Sequence, residues 1–134
     1  VDDFAGTGDQ VTGLWPTIAE LVASEASCYL VLTALTVDAE RAISGQTELQ
    51  IRARHVLGAD KAMFHADNET FTAAEKDVVA KYCARADPRN PKGYGGFGVL
   101  FVLSHKTPNN ALPILYANEE HWRGLFPRYL KAAA

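Results

Sequence analysis

Long apolar runs and one amphipathic stretch set out the first elements of the chain. Residues 29–36 (YLVLTALT) form a continuous apolar run, which predicts a strand covered on both faces, as in a parallel sheet. Before this run, apolar residues recur at helical spacing and predict a helix of about three turns with Pro16 in its first turn: Leu14, Ile18, Leu21 and Val22. Loop, helix and strand in that order make the second half of a βαβ unit.

The later patterns continue the alternation of helices and strands. Residues 38–43 predict a short helix, and residues 51–57 (IRARHVL) alternate as an outer strand does. Thr72 and Glu75 have the spacing of a capping box and predict a helix to about Arg85, with an inner face of Ala74, Val78 and Tyr82. Residues 98–104 (GVLFVLS) predict a second buried strand, and residues 114–116 a brief strand or extended piece. Asn118 is predicted to cap a last helical turn through Trp122.

Composition and charge narrow the class of protein. The chain has 134 residues, 48% of them hydrophobic, which is enough for one packed domain. With 13 basic and 16 acidic residues its formal charge is -3, so nucleic acid is not the expected partner. The two cysteines lack metal-ligand spacing, and the sequence shows no signal peptide and no membrane-spanning run. These features predict a cytoplasmic protein that does not bind a membrane.

The first residues lead to two interpretations. Residues 1–4 either begin a short edge strand, or the chain is a piece of a longer protein; we favour the second. On that interpretation residues 1–134 form a single domain that lacks its N-terminal part. Its bare sheet edge would invite pairing with the missing segment or with a second copy of the chain as a homodimer.

Residues 1–10 (VDDFAGTGDQ) carry the most informative chemistry. Gly6 and Gly8 let backbone amides approach a ligand closely, and the helix that follows offers free N–H groups to a phosphate. The adjacent carboxylates of Asp2 and Asp3 can accept hydrogen bonds from a vicinal diol, directly or through Mg²⁺. An anion site beside a diol acceptor predicts a site for a ribose 5-phosphate unit. The alternative is an ordinary capped turn.

This stretch, with the helix and strand that follow, resembles the phosphoribosyl pyrophosphate motif of type I phosphoribosyltransferases. The resemblance covers about the first 36 residues and implies a three-layer α/β fold with a mainly parallel sheet. It implies that Asp2 and Asp3 hold the ribose hydroxyls and that the Thr7 hydroxyl donates to a phosphate oxygen. Mg²⁺ would arrive with the pyrophosphate. The implied phosphate loop consists of Ala5, Gly6, Thr7, Gly8 and Asp9.

The sequence departs from that family at several points. Gly6 stands where purine-salvage members place an aspartate that assists proton transfer, and Gln10 stands where many members place a hydroxyl residue. Asp9 brings an anion close to the expected phosphate, which lowers affinity unless the carboxylate is paired or points away. The family's pyrophosphate loop and flexible catalytic loop precede this motif and are not in the sequence. The resemblance therefore supports a binding half-site more firmly than a reaction.

The second half resembles the C-terminal region of uncharacterised bacterial phosphoribosyltransferase-like proteins, some of them suspected of defence against phage. The segments that carry this likeness are residues 93–96 (GYGG), 107–110 (TPNN), 112–115 (LPIL) and 122–128 (WRGLFPR). His105, Asn109 and Asn110 would follow a strand and face the same cleft, where the asparagines would read a nucleobase edge or position the loop. Alternatively, the asparagines form a turn and His105 is a surface or structural residue.

Three functions follow from these features. The first is transfer of a phosphoribosyl group to an unidentified acceptor. The second is a non-catalytic module that senses a nucleotide or sugar phosphate, which Gly6 and Gln10 favour. The third is a structural or interaction domain.

Overall fold

The computed structural model describes residues 1–128, which fall into two compact units. The first unit covers Val1–Gly58 and the second begins at Ala59. Each unit has its own apolar cluster, centred on Leu35 and Ile43 in the first and on Met63 and Cys83 in the second. Full burial of a side chain such as Leu35 contributes about 1.5–3 kcal/mol, so each cluster contributes substantially to the stability of its own unit.

The first unit is a parallel α/β arrangement with strand order β1-β2-β3. Its elements are β1 (Asp2–Ala5), α1 (Asp9–Ala19), β2 (Tyr29–Thr36), α2 (Val37–Gln46) and β3 (Gln50–Leu57). The predicted α/β class and parallel sheet are therefore confirmed. The strand predicted over residues 29–36 has those bounds, and the predicted outer strand pairs with β2 alone among the described strands.

The sheet of the first unit is covered on one face along most of β2. Leu30, Leu32 and Ala34 are buried, whereas Tyr29, Val31 and Thr33 between them are exposed. Both crossovers advance the sheet in the same direction, so α1 and α2 lie on the same face and contact each other. The prediction that both faces of β2 are covered is thus wrong for residues 29–33. It holds at the end of the strand, where Leu35, on the same side as Val31 and Thr33, is buried. A continuous apolar run does not specify how many layers cover it.

Helix α1 begins earlier than its apolar spacing predicted. It starts at Asp9, so Pro16 lies in its interior and not in its first turn, where it leaves one backbone acceptor of the helix without a donor. The buried residue of α1 is Trp15, whose Nε1 donates to Glu48 Oε2 at 2.7 Å. The predicted inner face is exposed at Leu14, Ile18 and Leu21, the last of which lies beyond the helix.

The second unit consists of helices, turns and a short hairpin. Its elements are α3 (Ala73–Ala86), α4 (Pro113–Tyr116), β4 (Asn118–Glu119), β5 (Trp122–Arg123) and two 3₁₀ turns at Ala59–Lys61 and Tyr94–Gly96. Strands β4 and β5 pair antiparallel. Among residues 1–128, no helix combines the length and the apolar character needed to cross a membrane.

Several predictions for the second unit need correction. The capping box of Thr72 and Glu75 is confirmed, with both reciprocal hydrogen bonds, but α3 buries Cys83 and Ala86 while the predicted inner residues are exposed. The strand predicted over residues 98–104 does not form; this segment makes only isolated bridges. Residues 114–116 belong to the helical turn α4, and Asn118 begins the hairpin strand β4 where a helix cap was predicted.

Candidate functional site

The predicted diol acceptors lie in β1. Asp2 is exposed and Asp3 is half-buried, and the Asp3 N–H donates to Asp2 Oδ1 at 2.7 Å. Register pairs Asp2 with Leu32 of β2. Because successive residues of a strand project to opposite faces, the two carboxylates leave the backbone on different sides. The two carboxylates are therefore not equivalent, and the contribution of each to ligand affinity is to be measured separately.

The β1–α1 loop (residues 6–8) turns the chain from the carboxyl end of β1 into α1. Gly8 has φ +85° and is the N-cap of α1, without a side-chain hydrogen bond to the helix. A Cβ at Gly8 would lie 3.2 Å from Ile43 Cγ1 and 3.3 Å from Ala42 Cβ. Glycine is needed here both for the left-handed backbone and for close packing against α2.

Thr36, which the sequence argument did not single out, fixes the loop in place. Its buried hydroxyl donates to the Gly6 carbonyl at 2.5 Å and accepts from the Ala39 N–H at 3.0 Å, where it caps α2. One side chain therefore joins the carboxyl ends of β1 and β2 to the start of α2. The signal was present in the sequence, since a threonine between an apolar run and a first turn that contains Asp38 is typical of an N-cap.

Thr7 and Asp9 are hydrogen-bonded to each other. The Thr7 hydroxyl donates to Asp9 Oδ2 at 2.8 Å, and the Asp9 N–H donates to Thr7 Oγ1 at 3.3 Å. The Asp9 carboxylate thus lies in the first turn of α1, where the helix dipole favours an anion. The Thr7 hydroxyl proton, predicted to bind a phosphate oxygen, is used by Asp9 in this structure. A phosphate would have to exchange for that carboxylate.

The other predicted residues of the loop differ in exposure. Ala5 and Gly6 are buried, Thr7 is half-buried, and Asp9 and Gln10 are exposed. Solvent therefore reaches Thr7 and Asp9, whereas Gly6 and Gly8 are buried.

His105, Asn109 and Asn110 belong to the second unit. His105 lies in a turn closed by Leu103 and Lys106 and does not end a strand as predicted, because the preceding residues form none. Asn110 is buried, and its Nδ2 donates to the Tyr94 carbonyl at 3.0 Å. Asn109 is exposed, and its carbonyl accepts from the Tyr94 N–H at 2.8 Å. The asparagines therefore hold residues 93–96 against their own loop.

The donor groups near β1 suit a metal that a ligand brings with it. Mg²⁺ prefers carboxylate, phosphate and water oxygens, and Asp2 and Asp3 supply carboxylates. Within residues 1–128, no group of three or more His, Cys, Asp or Glu side chains is placed to hold a metal ion. The two carboxylates therefore fit Mg²⁺ only where further oxygens come from a ligand and water.

Comparison with known proteins gives one result. A family profile described as PRTase-CE matches residues 1–128, which is nearly the whole chain and contains both β1 and the second unit. Neither the curated proteins nor the solved structures contain a match to the chain. The chain belongs to the PRTase-CE family, a phosphoribosyltransferase-type family, and forms a phosphoribosyltransferase-related domain.

Proposed function

We propose that the β1–α1 loop binds the 5-phosphate of a phosphoribosyl group, and that Asp2 and Asp3 accept hydrogen bonds from its ribose hydroxyls. The ligand class is phosphoribosyl pyrophosphate or a related sugar phosphate. The proposal also takes the sheet to be part of the three-layer arrangement of phosphoribosyltransferases.

The observation that carries the proposal is the start of α1, which follows the two acids of β1 in the chain. The first N–H groups of a helix have no partner within the helix. Thr7 Oγ1 accepts from the Asp9 N–H at 3.3 Å, and Gly8 offers no side chain to accept from the N–H groups after it. A phosphate at this position would receive those hydrogen bonds and the favourable end of the helix dipole. Thr36 would keep the loop in one conformation through its hydrogen bond to Gly6, so little ordering would be required on binding.

Mg²⁺ would bind through the pyrophosphate oxygens, with Asp2 or Asp3 as protein donors directly or through water. When bound, it would neutralise negative charge on the pyrophosphate and stabilise its departure. The support for Mg²⁺ is that it prefers oxygen ligands. The two carboxylates supply some of these oxygens, and the pyrophosphate and water would supply the rest.

In the catalytic form of the proposal, the bond from ribose C1 to the pyrophosphate oxygen breaks and an acceptor atom bonds to C1. Pyrophosphate leaves with the bonding electrons, and the acceptor releases one proton. A second candidate, binding without transfer, is favoured by Gly6. This residue has no side chain to take that proton, and its backbone is buried and bound by Thr36.

Calorimetric titration of the purified protein with phosphoribosyl pyrophosphate and Mg²⁺ tests binding. Asp2→Asn and Asp3→Asn each remove a charged acceptor, so we expect the Kd to rise roughly tenfold or more for the more important of the two. Asp77→Asn, an exposed change on α3, is the matched control. Binding that is absent, or that neither variant alters while circular dichroism shows intact folds, contradicts the proposal.

Release of pyrophosphate across a panel of nucleobases distinguishes transfer from binding alone. Turnover that Asp3→Asn abolishes supports the catalytic form. Tight binding without turnover supports the sensing form.

A further inference from the structure

A groove in the first unit lies at the edge of the sheet opposite the β1–α1 loop. The loop follows the carboxyl end of β1, whereas the groove is formed where β2 and β3 begin, and the three strands run parallel. Its volume is about 340 Å³, within the range typical of small-molecule sites. Its walls are the second half of α1, the segment that leads into β2, and the start of β3. None of these residues belongs to the proposed ribose-phosphate site.

Much of the groove lining is apolar surface that solvent still reaches. A ligand that covers such surface removes it from water, which favours binding. The apolar residues that keep this accessible surface are all exposed or half-buried: Ala19, Val22, Ala23, Ala26 and Cys28. The groove can therefore take up the apolar part of a small ligand.

Glu48 contributes one fixed negative charge to the groove. The residue is exposed, and its Oε2 accepts from the Nε1 of Trp15 at 2.7 Å. Because the indole donor is neutral, this bond orients the carboxylate without cancelling its charge. A carboxylate has about four acceptor positions, so Glu48 can accept further hydrogen bonds while it remains bound to Trp15. Within residues 1–128, Glu48 makes no ion pair.

The other charges near the groove favour a cation. Among the described residues that line it, none is Lys, Arg or His. Ser24, a lining residue, donates to Glu25 Oε1 at 2.7 Å and so holds a second carboxylate beside the groove. Arg52 contacts the lining through Gln50, to whose Oε1 its Nη2 donates at 3.5 Å, but its guanidinium lies 5.3 Å from the centre of the Tyr29 ring. The lining itself therefore carries only negative charge.

We propose that this groove binds a small organic amine that carries an apolar group. The ammonium donates to the Glu48 carboxylate, and the apolar group covers Val22 and the neighbouring alanines. A hydrogen bond between two charged groups is stronger than one between neutral groups, so the amine should determine where the ligand binds. The inference goes beyond the proposed function and does not depend on ligand binding at the β1–α1 loop.

Cys28 provides a direct measurement of the charge in the groove. It lines the groove and is half-buried, whereas the other cysteine of the chain, Cys83, is buried. The rate at which a thiol reagent modifies the protein therefore reports on Cys28. We expect cationic 2-aminoethyl methanethiosulfonate to react at least about fivefold faster than the anionic 2-sulfonatoethyl reagent at low salt, relative to the same ratio for free glutathione. Glu48→Gln should remove most of this preference.

Titration with three probes, followed by backbone amide NMR shifts, tests binding itself. 2-Phenylethylamine supplies both groups, 2-phenylethanol lacks the positive charge, and methylamine lacks the ring. We expect 2-phenylethylamine to bind more tightly than either of the others, to shift the amides of Val22, Cys28 and Glu48, and to slow the modification of Cys28. Equal affinity for 2-phenylethylamine and 2-phenylethanol contradicts the proposal.

Glu48→Gln is expected to raise the Kd for 2-phenylethylamine roughly tenfold, and Val22→Ser about threefold. Glutamine keeps an oxygen that accepts from Trp15, and the indole N–H signal of Trp15 shows whether that bond and the fold are retained. Glu69→Gln, an exposed change of the same charge in the second unit, is the matched control and should leave the Kd unchanged. Equal affinity in the wild type and Glu48→Gln, or equal rates of Cys28 modification by the two reagents, overturns the proposal.

Asp2→Asn and Asp3→Asn separate this groove from the proposed ribose-phosphate site. Both variants should retain binding of 2-phenylethylamine, even if they lose phosphoribosyl pyrophosphate. Loss of amine binding in these variants, with amide shifts confined to residues 1–10, would place the amine at the acids of β1 and contradict the proposal.

Discussion

Asp9→Asn is the sharpest test of the electrostatics of the β1–α1 loop. The Thr7 hydroxyl oxygen lies 2.8 Å from Asp9 Oδ2. A phosphate oxygen that takes over its single proton would lie about 2.7 Å from it, with Asp9 Oδ2 still beside the same hydroxyl oxygen. The two anionic oxygens would then be at most about 5.5 Å apart. At that distance the repulsion in water is about 0.8 kcal/mol for each pair of unit charges, and about 1.5 kcal/mol for a doubly charged phosphate. Removal of the Asp9 charge should therefore tighten phosphate binding roughly tenfold.

The assay is calorimetric titration with ribose 5-phosphate at low ionic strength and again at about 1 M salt, where the Debye length falls to about 3 Å. Asparagine retains an oxygen that accepts from Thr7, so the loop geometry is preserved while the charge is lost. The gain should be largest at low salt and small at high salt. Glu20→Gln, an exposed change at the end of α1, controls for net charge.

The reasoning is refuted if Asp9→Asn binds ribose 5-phosphate as the wild type does, or more weakly, at low salt. An equal gain in the Glu20→Gln control would assign the effect to net charge and not to the loop.

Other consequences can be measured without the ligand. Thr36→Val removes the donor to the Gly6 carbonyl and the acceptor for the Ala39 N–H, so the free energy of unfolding in urea should fall by about 2–3 kcal/mol, and Thr36→Ser should recover most of it. A loss below about 0.5 kcal/mol, the size of a surface change, would contradict that role. Gly8→Ala places a Cβ at φ +85° and should destabilise by about 1–2 kcal/mol; an unchanged urea midpoint would contradict it. Tyr116 titrates at about 12 when folded against 10.0 as its ordinary value, so the unfolded state ionises first and stability falls as pH rises between these values. Tyr116→Phe should abolish that part of the pH dependence, and an unchanged profile would assign it to other groups.

Two elements, one in each unit, followed from the sequence because their patterns are local. Residues 29–36 could form a strand from their own composition, and Thr72 with Glu75 specified a helix start through hydrogen bonds within one turn. The acid pair and the β1–α1 loop could be predicted as a site because their residues are contiguous. The N-cap position of Thr36 was readable from the local sequence, whereas its contact with Gly6 was not, since that contact crosses 30 positions of the chain.

The apolar run at residues 98–104 shows why the second unit was harder to predict. Gly98 has φ +54°, and the flanking backbone bonds go to different segments: the Val99 N–H to the Asn110 carbonyl, and the Leu100 N–H to the Lys61 carbonyl. An apolar run shows that a segment is buried but not which backbone groups pair with it. Residues 98–104 therefore form no strand because their backbone groups bond to distant segments of the chain, which the local sequence does not specify.

The helix faces were mispredicted for a related reason. Val78 and Tyr82 share a face of α3, but the unit packs Cys83 and Ala86 inward, where small side chains allow close approach. In α1, Gly13 and Pro16 interrupt the apolar spacing, so the spacing did not predict that the helix begins at Asp9. In both helices, the residues against which the helix packs determine which face is buried. The apolar spacing within one helix does not identify those residues.

The account rests on a phosphate bound by backbone N–H groups at the start of α1. The most direct measurement follows the amide ¹H and ¹⁵N shifts of Gly6, Thr7, Gly8 and Asp9 as ribose 5-phosphate is added. We predict saturable shifts at these amides that Asp3→Asn weakens and Asp9→Asn strengthens. Amides that stay unmoved at ligand concentrations well above millimolar, in wild type and Asp9→Asn alike, would contradict the account.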